Sequence, residues 1–222
     1  MSISQPDAGE PESSESEIGE RFSDARDLDL ASLKALAHPL RVQIFDALSI
    51  YGSFTASGLA ERLNESSGAT SYHLRQLEKH GFVKEVEGKG TGRERWWERT
   101  PGAVNIGSDD ATDTPAGRSA AELIFRQLRT GEEKLLGDFV ERSHDELTAE
   151  WRAAADISTM NTRLTADQLH EYVDAVLKLT EQYVLPFKNQ QAPGARPVHI
   201  NFNAFPVMDG DATTRDAEEE NA

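Results

Sequence analysis

The chain contains no cysteine, which excludes disulfides, thiolate metal sites and covalent chemistry through a thiol. It has no apolar run near the ~20 residues that a membrane-spanning helix needs. Its beginning lacks the basic and apolar regions of a signal peptide, so a cytoplasmic protein without membrane association is expected. Apolar residues are scarce, at 37% of 222, and the ends account for the shortage. Residues 1–30 carry nine acidic side chains against Arg21 and Arg26, a net of −7. Such a stretch cannot bury enough surface to offset its ordering entropy. Residues 1–29 are therefore expected to be a disordered acidic leader, and 208–222 a disordered acidic tail.

What is present is unevenly charged. The whole chain has a formal charge of −16, yet residues 31–103 hold ten basic and eight acidic side chains, or +2. Residues 104–222 hold eleven and twenty-two, or −11. Only the middle segment would not repel a polyanion outright.

The middle segment also has the most ordered pattern. Leu30, Leu33, Leu36 and Ala37 recur at helical spacing, and Pro39 then starts a second helix, where a first turn tolerates proline. Val42, Ile44, Phe45, Leu48 and Tyr51 form the apolar face of that helix, and Gly52 stops it. Thr55 is placed to cap a third helix with Phe54 and Leu59 as its staple. Ser66 is placed to cap a fourth, which runs to His80 before Gly81. "FVKEVEGKGTGRERWWER" then changes period and reads as a two-stranded hairpin with a basic tip. The order predicts a winged helix-turn-helix over residues 30–103.

Residues 104–115 read as a linker, and 116–207 as a helical extension for dimerisation. Ile124, Leu128, Leu135, Phe139, Leu147 and Trp151 mark one long helix, with Gly131 and Gly137 as places for a bend. Thr165 and Gln168 form a capping-box pair opening another, whose stripe runs from Leu169 to Val184. In "PVHINFNAFPV" polar and apolar residues alternate, which predicts a terminal strand. The expected fold class is mainly α with a small β-hairpin wing.

The fourth helix carries the functional signal. At 100° per residue, Thr70, Leu74 and Leu77 share one face. Gly68, Tyr72, Arg75, Gln76 and Lys79 lie roughly opposite, with no acid among them. Gly68 and Ala69 keep the first turn slim, and its free N–H groups favour a phosphate. Arginine can donate two hydrogen bonds to guanine O6 and N7 in a major groove. Ser66, Ser67 and Thr70 offer hydroxyls near the helix start. Tyr72 suits a thymine methyl or a phosphate, and Lys79 suits backbone phosphate. Lys89, Arg93 and Arg95 sit in or beside the hairpin tip, where a wing reaches flanking DNA. Double-stranded DNA is the expected partner.

The segments "LKALAHPLRVQIFDAL", "TASGLAERL", "SSGATSYHLRQLEKHGFV" and "GRERWWERT" together resemble ArsR-type winged-helix repressors. They are most similar to the bacterial subgroup with a helical C-terminal extension, and the likeness covers about residues 30–100. It implies a homodimer on a partly palindromic operator. By position its DNA-reading residues correspond to Ser67, Gly68, Ser71, Tyr72 and Arg75, with Arg93 and Arg95 in the wing. The founding members sense metals through a Cys-x-Cys pair that this chain lacks. His170 with Asp174 has i, i+4 spacing without further ligands, and His144 stands beside Asp145 and Glu146, so no metal or cofactor is expected.

Other features carry blander expectations. Trp96 and Trp97 must point to opposite faces of a strand, one of them into the core. His73 is expected at the helix margin. Phe139, Trp151, Tyr172, Tyr183, Phe187, Phe202 and Phe205 form ordinary core or line a small-molecule effector cavity. No phosphate loop or catalytic triad is visible, so an enzyme is not expected. The rival reading is a winged-helix protein-interaction adaptor without DNA binding.

Overall fold

Asp29 opens the first helix, and residues 25–28 before it are already part of the fold. The computed structural model describes residues 25–90, 94–107, 109–187, 190 and 192–210. Strand β1 (Arg26–Asp27) pairs in parallel with β5 (Val104–Asn105). Between them run α1 (Leu30–Leu36), α2 (Pro39–Tyr51), β2 (Phe54–Thr55), α3 (Ala56–Leu63), α4 (Ser67–Lys79), β3 (Val83–Glu85) and β4 (Trp96–Arg99). Strand β4 is central in an antiparallel sheet of order β2-β4-β3, with Phe54 opposite Trp97 and Val83 opposite Arg99. The mainly helical architecture with a small wing is observed.

Local chemistry sets these boundaries. The Asp29 carboxylate accepts the Ser32 N–H at 2.7 Å, capping α1. Thr55 and Ser66 accept N–H groups of Gly58 and Ala69 at 3.0 and 3.1 Å, capping α3 and α4 as their positions predicted. Helix α3 ends on Asn64 at φ 54°, a left-handed position that asparagine tolerates better than most residues. The core gathers Leu28, Leu33, Leu36, Ile44, Leu48, Leu59, Leu74, Leu77, Phe82 and Trp97.

Two expected boundaries move. Residues 25–29 are not leader: Leu28 is fully buried and Arg26 donates to His80 O at 2.8 Å and to Ser32 Oγ at 3.0 Å. Composition alone missed them because one buried leucine and one clamped arginine do not alter the average of an acidic stretch. Residues 104–115 are not a free linker either, since β5 and α5 (Asp109–Thr112) occupy them and Ala111 is buried. A side chain at Gly117 would place its Cβ 1.8 Å from Ala111 O, so this tight turn into the next helix requires glycine.

Helix α6 (Pro115–Glu146) packs its first turns on α1 and α2 through Ala120 and Ile124. It continues through Gly131 and Gly137 to Glu146. A Cβ on Gly131 would lie 3.3 Å from Asp46 Oδ2, so the glycine lets α6 lie close to α2. The long apolar pattern is broken at Leu147, and Trp151 sits on a separate α7 (Ala149–Ala154). Thr148 accepts the Trp151 N–H, restarting the helix with its own cap. The Thr165 capping box is formed at the head of α8 (Ala166–Tyr183), and a 3-10 turn, Leu185–Phe187, follows.

The expected terminal strand is not formed: residues 195–207 belong to no helix or strand. The alternating pattern is there, but a strand needs a ladder partner and the described residues supply none. Among the described residues none after Ile124 is buried. Tyr183, Phe187 and Phe205 stand exposed, and only Tyr172 and Phe202 meet, with centroids 5.9 Å apart. The aromatic set therefore does not enclose an effector cavity within one chain.

Candidate nucleic-acid interface

Helix α4 is pinned from behind by Leu74 and Leu77, both fully buried. That fixes which side chains point away from the body. Tyr72 is 55% exposed, and Arg75 and Lys79 are exposed on the same side. Among the described residues neither cation has an ion pair or hydrogen bond, so both are available to a ligand. Ser66, Ser67 and Gly68 are exposed at the helix start, and Ser71 is half-buried beside them.

Thr70 is a correction. It was expected among the DNA-facing hydroxyls, but it is fully buried and its hydroxyl donates to Ala56 O at 2.8 Å. Its alternative acceptors are Ser67 O at 3.1 Å and Ser66 O at 3.3 Å. Thr70 therefore ties α4 to α3 across the turn and sets their angle. A buried hydroxyl needs such an acceptor, and the wheel already placed it on the inner face.

A cleft of about 540 Å³ runs between the start of α3, the outer face of α4 and the base of the wing. Ser71 and Arg75 line one wall, Arg95 and Glu94 another, and Thr55 and Ser57 the floor. Arg95 is 3.5 Å from Glu85 with both side chains well exposed. Such pairs are worth only about 0–1 kcal/mol, so Arg95 can exchange its partner for a phosphate at little cost. Ser57 and Glu94 were not singled out by spacing. The N-cap at Thr55 was the available signal, because it aims the first turn of α3 into this cleft.

The wing is less simple than its sequence. Trp97 is buried and Trp96 half-buried, so the two do take opposite faces. Lys89, expected at the tip, folds back to donate to Ser53 Oγ and lies 4.1 Å from the Trp96 ring centroid. Arg93 lies outside the described residues.

Behind the interface, the His38 and His73 rings meet with centroids 4.4 Å apart and planes tilted by 37°. His38 Nδ1 accepts the Leu40 N–H at 3.2 Å and so caps α2, while buried His73 Nδ1 has no partner among the described residues. Tyr72 meets the His73 ring edge-on at 5.1 Å. Burial holds both imidazoles below their ordinary value; Arg41 adds to this for both and His38 for His73, while Glu65 opposes it. The unfolded chain takes up protons near pH 6.5 that the folded chain refuses until lower pH. The contribution of this pair to stability is thus fully present above about pH 6.5 and is lost as pH falls below it. Melting temperatures measured downward from neutral pH are expected to fall accordingly, and less steeply in His73→Gln; an identical slope in the variant would contradict this assignment.

His144 and His170 are surface groups. His144 pairs with Asp145 at 3.4 Å and His170 with Asp174 at 3.5 Å, all exposed. Among the described residues no group of three or more metal-ligating side chains occurs, and no helix is long and apolar enough to cross a membrane.

Residues 36–86 match a family model described as a helix-turn-helix domain. Solved structures similar to the chain include HlyU from Vibrio cholerae, 22% identical over 43% of this chain and 86% of that one, with a TM-score of 0.28. A transcriptional regulator homologue from Pyrococcus horikoshii is 22% identical over 46% and 87%, at 0.27. The YusO protein from Bacillus subtilis is 16% identical over 63% and 87%, at 0.30. Among curated proteins no match is found. At these identities and TM-scores the likenesses add nothing to the reading of the cleft.

Proposed function

We propose that this chain is a sequence-specific, DNA-binding transcription regulator of the ArsR type, acting as a homodimeric repressor on a partly palindromic operator. The observation that carries the reading is the unpartnered Arg75, beside exposed Tyr72, on the outer face of the second helix of a helix-turn-helix domain. In this reading α4 lies in the major groove, with Arg75 on a guanine and Tyr72 on a thymine methyl or a phosphate. The start of α3 and Lys79 meet backbone phosphate, while Arg95, together with Arg93, reaches the flanking duplex.

A homodimer belongs to the same reading. Residues 125–208 contain three helical stretches and, among the described residues, no buried side chain. Amphipathic helices need a covered face to be stable, and a second copy supplies it. Two α4 helices would then enter successive major grooves about 34–36 Å apart.

The test is selection of bound genomic fragments by the purified protein, followed by titration at several salt concentrations. A regulator retains particular fragments over scrambled competitor and loses affinity steeply with salt. Retention of none at low salt would leave only the protein-interaction adaptor. The leader gives a second expectation. Residues 1–24 carry seven acidic side chains against Arg21, and they repel the polyanion. Deleting them is expected to strengthen binding to random DNA while leaving the fold intact; unchanged affinity would count against that role.

A further inference from the structure

We propose that residues 197–206 are a strand awaiting its partner, and that the partner is the same segment of a second copy, paired antiparallel about Ile200. This rests on the homodimer proposed above and names one contact through which it forms. Among the described residues no backbone–backbone hydrogen bond involves Pro197–Pro206. Side chains tether the stretch all the same. Asn201 donates to Glu132 Oε2 of α6 at 3.0 Å, Phe202 stacks near Tyr172 of α8, and the Arg196 guanidinium lies 5.7 Å from the Trp151 ring centroid. Val198 and Ile200 remain 64% and 60% exposed. Free N–H and C=O groups along an apolar edge are a template for another strand.

Charge selects the occupant. Residues 182–208 hold no Asp or Glu, in a chain of formal charge −16. Two copies that meet through this stretch bring no carboxylates against each other there. With Ile200 on a twofold axis, Val198 faces Phe202, His199 faces Asn201 and Arg196 faces Ala204, so no like charges oppose. A register offset by one residue would set Val198 and Ile200 against polar side chains. Pro197 completes the argument because it has no N–H to donate. It falls at a non-hydrogen-bonded place when Ile200 meets its copy as a hydrogen-bonded pair.

The absence of cysteine makes the test clean. In a hydrogen-bonded antiparallel pair the Cα atoms stand about 5.5 Å apart, within the roughly 4.4–6.8 Å that a disulfide spans. The full-length Ile200→Cys protein, mildly oxidised, is expected to become a covalent dimer, and Glu150→Cys on exposed α7 is expected not to. Light scattering on the unmodified protein runs beside it. A dimer that Ile200→Cys fails to cross-link overturns the strand pairing and leaves the homodimer standing. Equal cross-linking of both variants reveals random collision and also overturns the pairing. A monomer at all concentrations overturns both.

Discussion

Leu28→Ala is expected to lower the unfolding free energy by about 2–5 kcal/mol, the usual cost of removing a fully buried leucine side chain. Leu28 lies within the core formed by α1, α2 and the sheet, with none of its surface exposed. Its neighbour Arg26 holds the end of α4: the guanidinium donates to His80 O and Ser32 Oγ and lies 5.4 Å from the Phe82 ring centroid. A cation on the last carbonyls of a helix satisfies an acceptor there and suits the helix dipole. Truncation should therefore be sharply position-dependent. Removing residues 1–24 leaves urea unfolding unchanged, whereas removing 1–29 takes away the leucine, the clamp and the Asp29 cap together. If Leu28→Ala shifted stability by less than ~0.5 kcal/mol, as surface changes do, the segment would be a tail after all.

The second large effect is on DNA. Arg75→Ala should weaken binding to a selected fragment by about 1–3 kcal/mol and relax preference at one base pair. The fold should not change, because Arg75 is exposed and bonded to nothing among the described residues. Arg95→Ala should act differently. It gives up an exposed pair with Glu85 and a phosphate contact, so every sequence is weakened alike and the salt dependence flattens. Titration of both variants against the selected fragment and its single-base substitutions separates the two roles. Indistinguishable profiles would mean that α4 does not read bases.

Much of this was legible in the sequence because it is local. Thr55, Ser66 and the Thr165–Gln168 pair cap the helices they were expected to cap, since capping depends on residues three apart in the chain. The inward placement of Leu74 and Leu77, and hence the outward Tyr72 and Arg75, follows from helical periodicity alone. What escaped depends on partners far along the chain. Thr70 reads as a free hydroxyl until Ala56 O is seen beside it, and Lys89 reads as a tip cation until Ser53 and Trp96 are. His38 and His73 lie 35 positions apart, and nothing local announces that their rings meet. The terminal alternation predicted a strand that is not formed, because pairing is a property of two segments and the described residues supply no partner.

By itself, then, the order of residues determined the helices, their caps, the apolar faces and the location of the module with a net positive charge, because each can be read within a short stretch of chain. Tertiary structure decided which polar groups remain free for a ligand. Burial and long-range hydrogen bonds withdraw Thr70 from the outer surface and draw Lys89 back from the tip, and they build residues 25–29 into the core. A polar side chain is available only when no other part of the fold has already satisfied it.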